Sequence, residues 1–295
     1  MDTKTLKHFL ALADTLHFGR ASAACFISIS ALSRNIRQLE DELGVVLFQR
    51  DNRSVVLTSE GEKFVLYSRE AISRWDMIRN ELAGSGNQLH GEVSLYCSVT
   101  AVYSILFDLF SRFRNNYPSI EIKLHTGDPE HAIARVIGGE DDISIAACPA
   151  TLPRGLAFQP ITVSPLVFIA PAEQTDLDLP TIAPNSPEEW AKVPMVLSEG
   201  GLARNRIDAW FKKMGINPRV YAQVAGNEAI VSMVSLGLGV GVVPKIVLEN
   251  SPVATRVKIL DVQPALQPYD VGMFALQRSL KNPLVNAVWS LVGES

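Results

Sequence analysis

HFGRASAACFISISALSRNIRQLEDELGVVLFQRDNRSVVLT, residues 17–58, reads as two helices joined by a tight turn and followed by a basic-tipped hairpin. In the second helix, which the pattern places from about Ser28 to Leu43, Leu32, Ile36, Leu39 and Leu43 recur at steps of 4, 3 and 4. At 3.6 residues per turn they form one buried stripe. Ser30, Ser33, Arg34 and Arg37 fall on the opposite face. Arginine bonds guanine in a bidentate manner and serine is short enough for close approach, so this face suits reading the major groove of DNA. A merely solvated face would carry the same residues, and the neighbouring elements decide between the two.

Leu6, Phe9, Leu10 and Ala13 supply a preceding helix, and Ala21, Ala23 and Ala24 let the next one cross closely. Three short helices with one exposed face make a helix-turn-helix. Val46 to Phe48 and Val55 to Leu57 are β-rich runs around Asp51-Asn52, a turn pair, with Arg50 and Arg53 beside the tip. This is a winged arrangement whose arginines suit phosphates flanking the groove. The candidate DNA contacts are Ser28, Ile29, Ser30, Ser33, Arg34, Arg37, Arg50 and Arg53.

The combination of Phe9, Ala13, Phe18, Ala21, Ala24, Ser28, Ser30, Leu32, Ser33, Ile36, Leu39, Glu40, Leu43, Gly44, Leu47, Phe48, Arg50, Leu57, Thr58 and Gly61 resembles the LysR-type transcriptional regulators. One departure is Ile29, where the family often has Gln; the contact left to it is with a thymine methyl. The resemblance continues through RDNRSVVLT, CSVTAVYS, EIKLHTGD, EAIVSMVSLGLGVGVVP and VLENSP. There it is similar to members that activate isoleucine and valine biosynthesis. That implies a cytoplasmic activator, not an enzyme, of the acetohydroxy acid isomeroreductase gene. The effector implied is an acetohydroxy acid such as acetolactate, with no cofactor, and the partners implied are promoter DNA, RNA polymerase and further copies of the chain in a dimer of dimers.

Composition agrees. The 295 residues, 47% of them hydrophobic, suffice for about two domains. No run approaches the roughly 18 apolar residues of a membrane span, and the N-terminus lacks the apolar region of a signal peptide, so a cytoplasmic protein is expected. A net charge of -4 leaves little general attraction for nucleic acid, which puts the burden on local arginines and on oligomerisation. Cys25, Cys97 and Cys148 give neither a disulfide framework nor metal-ligand spacing.

The winged helix-turn-helix is expected over 1–58 and a linker helix with a hinge over 59–87. Phe64, Tyr67, Ala71, Trp75, Ile78 and Leu82 step by 3 or 4 along one face of that helix. Thr58 or Ser59 caps its start, and Ala83-Gly84-Ser85-Gly86-Asn87 breaks it. The face requires a partner: the same helix of a second subunit, or the rest of the chain.

From 88 to 295 strands alternate with helices, which indicates an α/β domain with a largely parallel sheet. The resemblance implies two lobes like those of periplasmic binding proteins. Lobe I is expected at about 91–161 and 267–295 and lobe II at about 162–266, with crossings near Thr162 and Leu266. Ligands of such sheets sit at the carboxyl ends of strands, so a small anionic metabolite is expected in the cleft. Ser98-Val99-Thr100-Ala101 joins strand to helix and offers hydroxyls and free N–H groups to a carboxylate, although either hydroxyl also serves as a plain cap. Ser198-Glu199-Gly200 makes a second such turn and Asn227 opens a third helix, while Thr126-Gly127 and Cys148 end strands of the first lobe.

Other chemistries are weighed on the same residues. Gly237-Leu238-Gly239-Val240-Gly241 follows a helix and is spaced GxGxG, a close-packed turn rather than a dinucleotide site. His125, His131 and Cys148 lack the spacing of a metal site, and Asp141 and Asp142 read as solvated loop residues. The rival readings are a redox sensor using Cys97 and Cys148, both placed facing the cleft, and a two-lobed solute-binding protein.

Overall fold

The structure is a computed structural model that describes residues 2–51, 54–82, 89–173, 179–180 and 182–293. The chain divides into two compact units, Met1–Gly91 with Gly138–Glu140, and Glu92–Ile137 with Asp141–Ser295.

In the first unit each helix starts where a side chain accepts its free amides. Asp2 accepts from Thr5 N at 2.7 Å and opens α1 (Thr3–Thr15). His17 Nδ1 accepts from Gly19 N and Arg20 N and opens α2 (Phe18–Ala24), and Ser28 Oγ accepts from Ala31 N and opens α3 (Ile29–Leu43). Leu32, Ile36 and Leu39 of α3 are buried against Phe9, Leu12 and Ala21. Leu43, expected in that stripe, is 38% exposed, because the helix ends beside it at left-handed Gly44 and its last turn overshoots the core. Strands β1 (Phe48–Arg50) and β2 (Val55–Leu57) pair antiparallel, Phe48 opposite Leu57. The first strand begins later than the β-rich run because Val46 O accepts from Thr58 Oγ1 and Leu47 N donates to Glu40 Oε1.

Thr58 Oγ1 accepts from Gly61 N at 2.9 Å and starts α4 (Ser59–Leu82). A Cβ on Gly61 would stand 2.2 Å from Leu47 O, so only glycine lets the helix lie this close to the wing. The first turns of α4 complete the helix-turn-helix core: Val65 is buried and the Phe64 ring packs edge-on against Phe9 at 4.9 Å. Phe64 therefore belongs to this core instead of an intersubunit seam. The breaker at residues 83–87 lies outside the described residues.

The second unit holds two five-stranded sheets. The first contains β3 (Gly91–Cys97), β4 (Ile120–Thr126), β5 (Ile143–Ala147) and β6 (Leu156–Ser164). Between β3 and β4 runs one helical rod, α5 (Val99–Ala101), a π-helical turn at Val102–Leu106 and α6 (Phe107–Asn116); α7 (Ala132–Ile137) precedes β5. The chain then enters the second sheet with β7 (Leu166–Pro171), α8 (Pro187–Trp190), β8 (Pro194–Ser198), α9 (Gly201–Lys213), β9 (Arg219–Val224) and α10 (Asn227–Ser235). It continues through β10 (Val240–Pro244), α11 (Lys245–Glu249) and β11 (Val257–Leu260), and returns as β12 (Tyr269–Leu276) and α12 (Pro283–Trp289). The strand orders are β4-β3-β5-β12-β6 and β11-β7-β10-β8-β9.

Both sheets are mixed rather than largely parallel. β3 pairs with β5, and β8 with β9 and β10, in parallel, whereas β12 runs antiparallel to β5 and β6, and β7 to β10 and β11. The antiparallel strands are those on which the chain crosses between lobes, where no helix intervenes to reverse direction. The core of the second lobe is aromatic: Phe168, Trp190, Trp210 and Phe211 meet with ring centroids 5.1 to 6.4 Å apart. Each such pair adds about 1 kcal/mol beyond its buried area. The glycine-rich run feeds β10, where Gly241 lies under α10.

Candidate functional site

On the helix-turn-helix, Ser28, Ile29, Ser30, Arg34 and Arg37 are exposed and Ser33 half-buried, so the buried stripe of α3 turns them to one outer face. Ser28 Oγ also lies 3.0 Å from Ser30 Oγ, which ties up both hydroxyls at the helix start. Arg50 has a different task. Its guanidinium pairs with Glu40 at 2.5 Å and lies 5.4 Å over the Phe18 ring, while the other oxygen of Glu40 accepts from Leu47 N and Phe48 N. Arg50 thus fastens the wing to α3. Arg53 lies outside the described residues.

In the second unit, the two sheets present the carboxyl ends of strands to a shared cavity of about 120 Å³. That space admits several waters, hence a compact metabolite. Its floor and mouth are mostly apolar, from Ile105, Ile145, Ala147, Val247 and Val271. Ser98, Thr100, Ser104, Ser164 and Ser198 interrupt the apolar lining, and two of them stand apart. Ser164 Oγ, at the crossing from the first sheet, and Ser198 Oγ, at the end of β8, are buried and meet no hydrogen-bond partner among the described residues. An unpaired buried hydroxyl costs about 1 to 3 kcal/mol, which a ligand atom would recover. Beside Ser198, Gly200 precedes α9 without a side chain to cap it, and Gly200 and Gly201 line the same space.

Beside this space, three carboxylates of the chain reach from one lobe to the other. Glu228 Oε1, from the first turn of α10, accepts from Thr100 N at 3.0 Å and Thr100 Oγ1 at 2.5 Å. Asp128 accepts from Gly226 N at 3.1 Å and from its own loop at Glu130 N. The Glu130 carboxylate lies against Gly200, where any Cβ would stand 2.7 Å from its oxygen. The start of the rod at Ser98-Val99-Thr100 is thus an anion cradle already filled by Glu228, with Ser98 Oγ spent capping Ala101 N.

Of the expected effector residues, Ser98, Thr100, Ala101, Ser198, Gly200 and Asn227 line the cavity. Val99, Thr126 and Gly127 line a neighbouring recess on the other side of Glu228. Gly127 has a packing task, since a Cβ there would strike Tyr96 Oη at 2.3 Å. Cys148 and Glu199 line neither. Ser164 and Glu130 carried no sequence signal: one ends a strand at the crossing and the other lies in a single 3-10 turn, Pro129–His131.

Burial pushes the Cys97 thiol up to about 12, and burial with Asp270 nearby raises that of Cys148. Of Asp141 and Asp142, both read as solvated, the first is buried and the second half-buried. Asp141 accepts from Arg135 Nε and bonds His125 Nδ1, each at 2.6 Å, and Asp142 Oδ2 accepts from Ser94 N and Oγ. They tie the loop before β5 to β3, β4 and α7 by accepting from donors of those elements, which apolar periodicity does not register. Among the described residues no group of three or more His, Cys, Asp or Glu is placed to hold a metal ion, and no helix is long and apolar enough to cross a membrane.

Residues 3–62 match the bacterial regulatory helix-turn-helix protein, lysR family, and residues 86–295 match the LysR substrate binding domain. The chain is 42% identical over 301 residues to the HTH-type transcriptional activator IlvY of Salmonella typhimurium, and 43% identical over 301 residues to the HTH-type transcriptional regulator IlvY of Escherichia coli K12. Each alignment covers 99% of both proteins. Among solved structures it is similar to full-length OxyR from Pseudomonas aeruginosa, a cysteine-to-aspartate variant, with a TM-score of 0.70 at 24% identity over 99% of this chain and 94% of that one. It is also similar to full-length CbnR complexed with its target DNA, with a TM-score of 0.65 at 19% identity over 99% of each.

Proposed function

The chain belongs to the LysR family of DNA-binding transcriptional regulators, which are not enzymes, and from that premise we propose that it activates a branched-chain amino-acid biosynthesis gene in response to an acetohydroxy acid. Near-complete alignment with the IlvY activators supports the pathway. The observation that carries the ligand class is the pair of buried, unpaired hydroxyls Ser164 and Ser198 beside the uncapped start of α9, within a small apolar cavity. Acetolactate offers a carboxylate to helix amides, a hydroxyl and a ketone to serines, and a methyl to the apolar lining.

DNA is held through Ser28, Ile29, Ser30, Ser33, Arg34 and Arg37, with Arg53 reaching phosphates beside the groove. Tyr67, Ala71, Trp75, Ile78 and Leu82 of α4 bury against the same helix of a second copy, and a dimer of dimers in the cytoplasm presents two such pairs to the promoter and to RNA polymerase. Effector bound between the lobes shifts the balance between arrangements of that assembly.

Melting of the full chain with and without acetolactate tests the ligand reading. A ligand at about 100 times its Kd stabilises by roughly 2.7 kcal/mol, so the melting temperature should rise, and Ser164→Ala and Ser198→Ala should each reduce that rise. No rise with acetolactate, or an undiminished rise in both variants, overturns it. The cysteine-sensor reading lacks support, because a thiol pushed to about 12 is not a thiolate at neutral pH. Cys97→Ser with Cys148→Ser should respond as wild type does.

A further inference from the structure

Phe26 is more exposed than any other large apolar side chain among the described residues, at 95%. It lies in the turn between α2 and α3, with φ +55°. The left-handed region is rare for a bulky residue, and asparagine or glycine would make the same turn at lower cost. The turn is well determined: Phe26 N donates to Ala23 O at 3.1 Å and Ile27 N to Ser22 O at 3.1 Å. They hold the aromatic ring out, two residues before the cap of α3. Ile29, the first residue of that helix, is 55% exposed.

Recognition helices of this motif enter the major groove by their N-termini, which puts Phe26 and Ile29 at the leading end of the helix that carries Arg34 and Arg37. Between them Ser28 and Ser30 are tied to each other and to the helix start. Phe26 and Ile29 add an apolar surface to that polar leading edge. The apolar feature of the major groove is the thymine C5 methyl. We infer that Phe26 and Ile29 form an apolar reader of thymine methyls at the edge of each half-site, beside the arginines that read or grip the polar groups. The inference rests on the DNA face proposed above.

The test uses full-length protein to select duplexes from a random pool, then replaces each thymine of the enriched half-site by deoxyuridine, which removes the methyl and keeps the pairing edge. Wild type should lose roughly fourfold in affinity for each methyl it covers, the worth of burying one methyl group. Phe26→Asn, which suits the left-handed turn, and Ile29→Ala should bind the thymine duplex more weakly and be indifferent to the substitution that the lost side chain had sensed. Melting temperatures confirm that the variants fold. Wild-type indifference to every deoxyuridine, or equal methyl sensitivity in wild type and both variants, overturns the reader. Arg34→Ala and Arg37→Ala distinguish the two levels: if both bind as wild type does, the DNA face itself is misplaced, and if both are impaired while the methyls do not matter, only the reader fails.

Discussion

The Asp142 carboxyl links the stability of the second unit to pH. Burial raises the Asp142 carboxyl above its ordinary 3.8, against the two hydrogen bonds from Ser94 that favour its charged form, and Asp141 and Glu92 nearby add to the rise. The folded chain therefore holds this proton more tightly than the unfolded one. The stability it contributes is present below 3.8 and is lost as pH climbs through the raised value. Asp142→Asn keeps an acceptor for Ser94 and removes the titration. The melting temperature of the variant relative to wild type should climb with pH from about 4 upward and then level; a flat difference across that range would show that Asp142 has an ordinary pKa. Neither its burial nor that of Asp141 was legible in the sequence, since both depend on donors brought from distant strands and helices. Arg50 was misleading for the same reason: a basic residue at a wing tip suits phosphate, but Glu40, ten residues earlier, claims it.

At the scale of elements, α3 and the wing were legible because Leu32, Ile36 and Leu39 repeat with the helix period and a cap stands at either end. The linker helix shows where such reading reaches its limit. Its apolar face was plain, but periodicity could not divide it between the core of its own unit and a partner; the structure gives Phe64 and Val65 to the core and leaves Tyr67, Trp75, Ile78 and Leu82 exposed, Leu82 at 81%. Trp75→Glu with Ile78→Glu should therefore leave the fold intact and reduce the mass of the assembly in light scattering, with weaker binding to a full operator. A double variant that keeps the wild-type mass assigns the main contact elsewhere. Strands β6, β10 and β11 escaped sequence reading for another reason. Their neighbours in the sheets come from far along the chain, the short apolar runs of β10 and β11 lack a distinguishing period, and the longer β6 is interrupted by Gln159 and Pro160.

Across the whole effector-binding unit, the sequence located both turns that face the cleft but gave no sign that the chain's own acids would fill one of them. Glu228 holds the amide and hydroxyl of Thr100 in the manner expected of a ligand's carboxylate. If acetolactate takes that place, Glu228→Gln is the weaker competitor and calorimetry should show tighter effector binding, whereas Thr100→Val keeps the amide but loses the hydroxyl contact and should bind less tightly. Weaker binding by Glu228→Gln would instead make the acid a clamp that supports the bound state.

The bonds across the cleft also bear on how quickly the regulator responds. Where effector entry requires the bonds of Glu228 and Asp128 across the cleft to part, entry is timed by the protein and not by collision. In stopped-flow mixing, the observed rate should rise with acetolactate at first and then level at the opening rate of the lobes. Glu228→Gln should lift that plateau without altering the initial slope in proportion. A regulator built this way averages over brief fluctuations of its metabolite, and the length of that average is set by the lifetime of a few hydrogen bonds.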